Sequence, residues 1–244
     1  LLNDLNAAES LFGPSRFTGL VHKLQREISN ADISFTAPLA LDAHILAGPL
    51  MVRDFFRLYQ YENYLYTMEL SGREIHDYLE FSYSLWLNHM QDMDDNLLLF
   101  RRNEQGQAEV RPDGRFRLRH PFYNFDSADG IRYTVNAGKP VGERVHIISM
   151  EDGSSFEMGK QYKVAINSYR GSGGGGHLTQ GAGIPHAELS SRITDTTRTD
   201  LRSALIRYFE EHGRVEAPLN DNWKIIPETW VEEARRRDSE LLGL

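Results

Sequence analysis

Gly171-Ser172-Gly173-Gly174-Gly175-Gly176 follows directly on the strand-like run YKVAINSY, and it constrains the fold more than any other string in the chain. Glycine lacks Cβ and reaches backbone conformations closed to other residues. The strand must therefore end in a turn here. Such a turn also lets something flat lie close to the main chain. The run lacks the Lys-Ser/Thr of a phosphate-binding P-loop.

Two strings about a hundred residues apart pair an aromatic ring with a carboxamide. Tyr61 stands two residues before Asn63, and Asn167 two residues before Tyr169. If both segments are extended, each pair points to one face of its strand. Two such pairs could hold a flat heterocycle and read its edge. Asn donates and accepts, which suits the mixed edge of a purine. Stacking on an aromatic ring contributes roughly 1–3 kcal/mol per base. His177, beside the glycine run, is the only histidine expected near a ligand; its plainer reading is a surface loop residue.

Around these strings the chain mixes helical and strand periods. Phe17, Leu20, Val21, Leu24 and Ile28 predict a helix over 16–29 with Ser15 as its cap. ADISFTAPL reads as a buried strand, 51–58 as a brief helix, and 64–70 as an aromatic-rich strand. Ser71 and Glu74 have capping-box spacing before a face of Ile75, Tyr78, Leu79, Ser82 and Trp86, which reads as core packing. Residues 88–118 read as a long polar excursion with a hairpin at Asp113-Gly114. Strands IRYTVN and RVHIISM follow, then a helix through Leu201, Leu205 and Phe209, and a last helix after Pro227. Without a regular βαβ rhythm, this pattern predicts an α+β fold.

The catalytic signals are negative. There is no GxSxG elbow, no HExxH spacing and no cysteine, and Asp42-Ala-His44 lacks the further ligands of a two-metal site. No catalytic or metal-binding residue and no cofactor is assigned within this chain. A net charge of −8 gives little reason to expect nucleic acid as partner. No apolar run approaches the roughly 18 residues of a membrane span. The chain opens inside folded-looking sequence without an initiator Met, as expected for a piece of a longer protein.

Three strings in register carry a resemblance: residues 31–80, YNFDSADGIRYTVNAGKPVGERV (123–145) and YKVAINSYRGSGGGGHL (162–178). Over roughly residues 15–212 the chain resembles the C-terminal domain of the 5'-nucleotidase family, which includes UDP-sugar hydrolases and 2',3'-cyclic-nucleotide 2'-phosphodiesterases. The resemblance implies a substrate-binding domain over 1–214, with 215–244 as an extension packed on it. It implies an N-terminal metallophosphoesterase domain outside this chain, holding two divalent metal ions, and a periplasmic or secreted hydrolase of nucleotide phosphoesters. Tyr61 and Tyr169 fall at the family's stacking aromatics and Asn63 at a base- or sugar-contacting Asn. Gly173, Gly174 and Gly175 match its glycine loop. The family's Asp in that loop is here Gly175, and an arginine of the family pattern falls at Asp42. A non-catalytic module that kept the fold and altered its small-molecule ligand is the alternative expectation.

Overall fold

A computed structural model describes residues 1–244. In chain order the elements are β1 (Leu5–Asn6), α1 (Arg16–Ser29), β2 (Ile33–Thr36), β3 (His44–Ile45), α2 (Val52–Leu58), β4 (Leu65–Ser71) and α3 (Gly72–Trp86). Then come β5 (Ser127–Asp129), β6 (Ile131–Asn136), β7 (Val145–Met150), β8 (Gln161–Asn167), α4 (Ser168–Gly171) and β9 (Ile193–Thr196). Helix α5 (Leu201–His212), β10 (Trp223–Ile226) and α6 (Glu228–Leu242) complete the α+β fold.

A five-stranded sheet in the order β5-β2-β8-β4-β9 carries the architecture, and only β2 and β8 run parallel. A second sheet, β10-β6-β7, lies apart from it. The long β4–β8 ladder pairs Leu65 with Asn167 and Ser71 with Gln161. That register brings the chain entering β4 and the chain leaving β8 together at one end of the sheet's two inner strands. Two apolar cores flank the sheet. One holds α3, β6 and Trp223; the other holds α1, α2 and α5.

Local chemistry sets the helix starts. Ser15 Oγ accepts the Thr18 amide at the head of α1, whose residues Phe17, Leu20, Val21 and Leu24 are buried while Ile28 stays exposed. Ser71 and Glu74 form the reciprocal capping box of α3, and Ile75, Tyr78, Leu79, Ser82 and Trp86 are all buried.

The excursion is more ordered than its polarity suggests. Bridges Phe100–Leu118, Arg102–Ala108 and Val110–Phe116 make a small three-segment ribbon, with the expected turn at Asp113-Gly114. Residues 215–244 do more than lie on the surface. β10 adds a parallel strand to β6, and Asp238 of α6 accepts the Leu98 amide and the Asn96 side chain. No helix is long and apolar enough to cross a membrane.

Candidate functional site

The β4–β8 register places the two tyrosine strings at one end of the sheet, but neither Tyr61 nor Tyr169 lies in a strand. Tyr61 and Asn63 lie in the loop before β4. Asn167 ends β8, and Tyr169 sits in the single turn of α4. The expected two-residue alternation is therefore absent. The reason is local: Asn167 Oδ1 accepts the Arg170 amide at 2.9 Å and starts a helical turn. The Asn167 carboxamide is 8% exposed and works as this cap. Ser168 then ties the strings together, donating its amide to Tyr64 O at 2.8 Å and accepting the Tyr64 amide at 3.1 Å. Asn63 is half-buried and accepts the Leu201 amide through its carbonyl.

Tyr169 is 47% exposed and Tyr61 half-buried. A third ring joins them. Tyr123, 37% exposed, stands edge-on to Tyr61 with ring centroids 6.2 Å apart. Burial, and then the neighbouring phenols of Tyr123 and Tyr169, raise the Tyr61 hydroxyl above its ordinary pKa. The Tyr61 and Tyr123 rings thus meet on one open ledge, apolar across the faces and polar at the tips, with the exposed Tyr169 near enough for its phenol to act on that of Tyr61.

Beneath the ledge, Arg170 is buried with all five N–H groups satisfied. Nε and Nη2 donate to the two carboxylate oxygens of Asp126, each at 2.9 Å. Nη2 also donates to Tyr123 O at 2.7 Å, while Nη1 donates to Asn124 Oδ1 at 3.1 Å and Gly174 O at 2.9 Å. Tyr78 donates its hydroxyl to Asp126. Despite full burial, the Arg170 charge and these hydrogen bonds hold the Asp126 carboxyl below its ordinary pKa. One guanidinium therefore fixes the turn carrying Tyr123 and the glycine loop behind Tyr169.

His177 belongs to this foundation, not to the surface or the ledge. It is 0% exposed, packs on Tyr78 and Phe81, and its Nε2 donates to Asn124 O at 2.9 Å. Desolvation, and next the Arg170 charge, lower its pKa to about 4. The expectation of His177 beside a ligand fails on burial alone.

The glycine loop is shaped by its neighbours. A Cβ on Gly174 would lie 2.5 Å from the Tyr169 ring and carbonyl. Gly175 has φ +73°, and a Cβ there would lie 2.2 Å from Arg170 Nη1. An aspartate at Gly175 would thus collide with the guanidinium as it stands. Gly173 is also left-handed and partly accessible.

Sequence reasoning did not single out Tyr123, Asp126 or Arg170. The usable signal was PFYNFD: three aromatics and a carboxylate in six residues, with a lone Arg just before the glycine run. No group of three or more His, Cys, Asp or Glu residues in the chain is arranged to hold a metal ion.

Comparison with known proteins agrees with this architecture. The chain is 28% identical over 195 residues to the trifunctional nucleotide phosphoesterase protein YfkN of Bacillus subtilis, covering 75% of this chain and 12% of that protein. It is 26% identical over 192 residues to the 2',3'-cyclic-nucleotide 2'-phosphodiesterase/3'-nucleotidase of Salmonella typhimurium, covering 74% and 26%. It therefore spans about a quarter or less of these relatives' length. The structure of a 5'-nucleotidase precursor from Thermus thermophilus superposes with a TM-score of 0.66 at 20% identity, covering 92% of this chain and 38% of that one. Residues 3–181 match the model of the 5'-nucleotidase C-terminal domain, and the chain belongs to that family.

Proposed function

We propose that this chain holds the nucleoside part of a nucleotide for a phosphoester hydrolase. The observation that carries the reading is the meeting of the Tyr61 and Tyr123 rings, with exposed Tyr169 nearby, at one open end of the sheet. A base lying on these rings gains stacking free energy whatever its identity. Asn63 is partly accessible and is a candidate to contact base or sugar, whereas Asn167 is committed to its cap. The phosphoesterase activities named for the two relatives support the same class of ligand.

In this reading the chemistry belongs to a metallophosphoesterase domain preceding the chain, outside the cytoplasm. Two divalent metals there would supply the activated water. The residues of this chain bind and orient. They hold no metal and move no proton, and residues 1–244 alone are expected to be inactive.

Calorimetric titration of the chain with adenosine and with AMP tests the reading, beside a Tyr61→Ala/Tyr169→Ala variant. Each lost stack costs roughly 1–3 kcal/mol, so the variant should bind adenosine at least about thirtyfold more weakly. Wild-type protein that ignores both ligands would overturn the reading. It would favour the second one, a module whose ligand has changed, which Gly175 and Asp42 in place of the family's Asp and Arg motivate.

A further inference from the structure

Next to the tyrosine ledge lies a groove of about 820 Å³ whose walls include Arg101, Arg111, Arg115, Arg117 and Arg119. Asp42 is its only acidic side chain. The chain as a whole carries 35 acidic against 27 Lys and Arg residues, so this concentration runs against its overall charge.

The ribbon geometry explains how the arginines gather. Residues 115–119 are extended, bridged through Phe116 and Leu118. Those two side chains pack against the main core. Alternation then sends Arg115, Arg117 and Arg119 to the opposite face, and all three are exposed. Arg101 pairs with Glu109 at 3.2 Å, and Arg111 lies 3.7 Å from Asp113. No carboxylate side chain lies within salt-bridge distance of the guanidinium groups of Arg115, Arg117 and Arg119, and none of the three makes a side-chain hydrogen bond. Packing the core needs only Phe116 and Leu118. Three like charges between them repel one another and gain nothing from the fold.

Two further observations set what could gain. Arginine's planar fork matches phosphate oxygens bidentately. Alternate residues of an extended segment are roughly 6–7 Å apart, so the row spans about 13 Å. That exceeds one phosphate group and suits two or more. The groove also reaches the ledge. Phe122 lines it, and the Phe122 ring lies 6.0 Å from that of Tyr123. On the facing wall, Leu41 and Asp42 follow Leu39, whose carbonyl accepts Gln60 Nε2 beside Tyr61.

We propose that this arginine groove is an anion site for the phosphate chain of a small molecule bearing two or more phosphates, such as a nucleoside diphosphate whose base lies on the tyrosines. The part concerning the base rests on the nucleoside reading above. The groove does not. It supplies positive charge from the excursion in place of the arginine that Asp42 replaces.

The test titrates the 244-residue chain with inorganic pyrophosphate, adenosine and ADP in low and moderate salt. It adds Arg117→Gln/Arg119→Gln and Tyr61→Ala/Tyr169→Ala variants, each checked for folding by thermal unfolding. Pyrophosphate should bind the wild type, weaken with salt, and lose at least tenfold in the arginine variant. The tyrosine variant should keep it. ADP should bind at least tenfold more tightly than adenosine, and that advantage should vanish in the arginine variant. Absence of pyrophosphate binding, or binding indifferent to the arginines, overturns the groove. Pyrophosphate binding without adenosine binding keeps the groove and overturns the nucleoside reading. ADP no tighter than adenosine overturns the shared ligand. Capture of RNA or heparin but not pyrophosphate overturns the small-molecule assignment.

Discussion

Arg170 and Arg117 are both arginines near the tyrosine ledge, and the chain treats them in opposite ways. Arg170 is 1% exposed and every N–H meets an acceptor. Arg117 is exposed on a face crowded with its own kind. The difference teaches how to read an arginine: its partners, not its charge, decide whether it is structural. Arg170 was placed to organise a backbone turn and a loop. Arg117 satisfies nothing inside the fold and is available to something outside it.

The sharpest way to break this contrast is to remove one partner of the buried pair. Arg170→Met leaves Asp126 buried with only the Tyr78 hydroxyl and the groups around it. Breaking a buried ion pair from one side costs about 3–5 kcal/mol. Urea unfolding should show a loss of that size. Arg170→Met/Asp126→Leu should cost much less than the two single changes summed, since no lone charge remains. If Arg170→Met loses under about 1 kcal/mol, Arg170 is not the foundation argued above.

Acid provides a graded version of the same experiment. His177 shares Asn124 with Arg170, and its folded pKa of about 4 lies below the ordinary 6.5. The unfolded chain therefore takes up this proton first. Stability from His177 is complete above pH 6.5 and is lost as pH falls from there to about 4. The loss is at most about 1.4 kcal/mol per pH unit for one group. His22, buried against Ser34 and also lowered to about 4 by desolvation, titrates in the same window. Asp126 acts lower still: the stability from its depressed pKa is present above the ordinary carboxylate pKa and is lost as pH falls from there toward the folded value. Unfolding curves between pH 7 and 4.5 should slope accordingly, and His177→Gln should remove about half of the slope. A flat wild-type profile over that interval would contradict the burial of both imidazoles.

How much of this was legible in the sequence follows the range of the interactions. Helices α1 and α3 could be read because their caps and apolar periods lie within one string. That the strings carrying Tyr61 and Tyr169 lie together could be read, and the β4–β8 ladder joins them. Their conformation could not. YKVAINSY continues a strand pattern through Tyr169, and only the Asn167 cap, a local competition, ends the strand two residues earlier. His177 and Tyr123 were hidden for a longer-range reason. Their places depend on Arg170 reaching 44 to 47 positions back to residues 123–126. A polar composition hid the ribbon of the excursion, whose order comes from Phe100, Phe116 and Leu118 packing on a core formed elsewhere. β10 escaped notice because WKII gains its strand character only by lying parallel to β6.

The smallest expected effect is the one that most sharpens the contrast. Arg117→Gln and Arg119→Gln remove exposed charges without side-chain partners, so stability should change by no more than about 0.5 kcal/mol. Local relief of repulsion favours a slight gain at low salt. That gain should fade as the Debye length shrinks from about 30 Å at 0.01 M to about 3 Å at 1 M. The measurement is paired urea unfolding at both ionic strengths. A loss of 2 kcal/mol or more would mean the guanidinium groups hold the ribbon together, as Arg170 holds its turn. The two regions would then be alike, and the charge argument for an external anion would fall with their difference. A near-zero change beside a large loss at Arg170 separates them: one arginine maintains the ledge, and the others wait on its flank for a ligand.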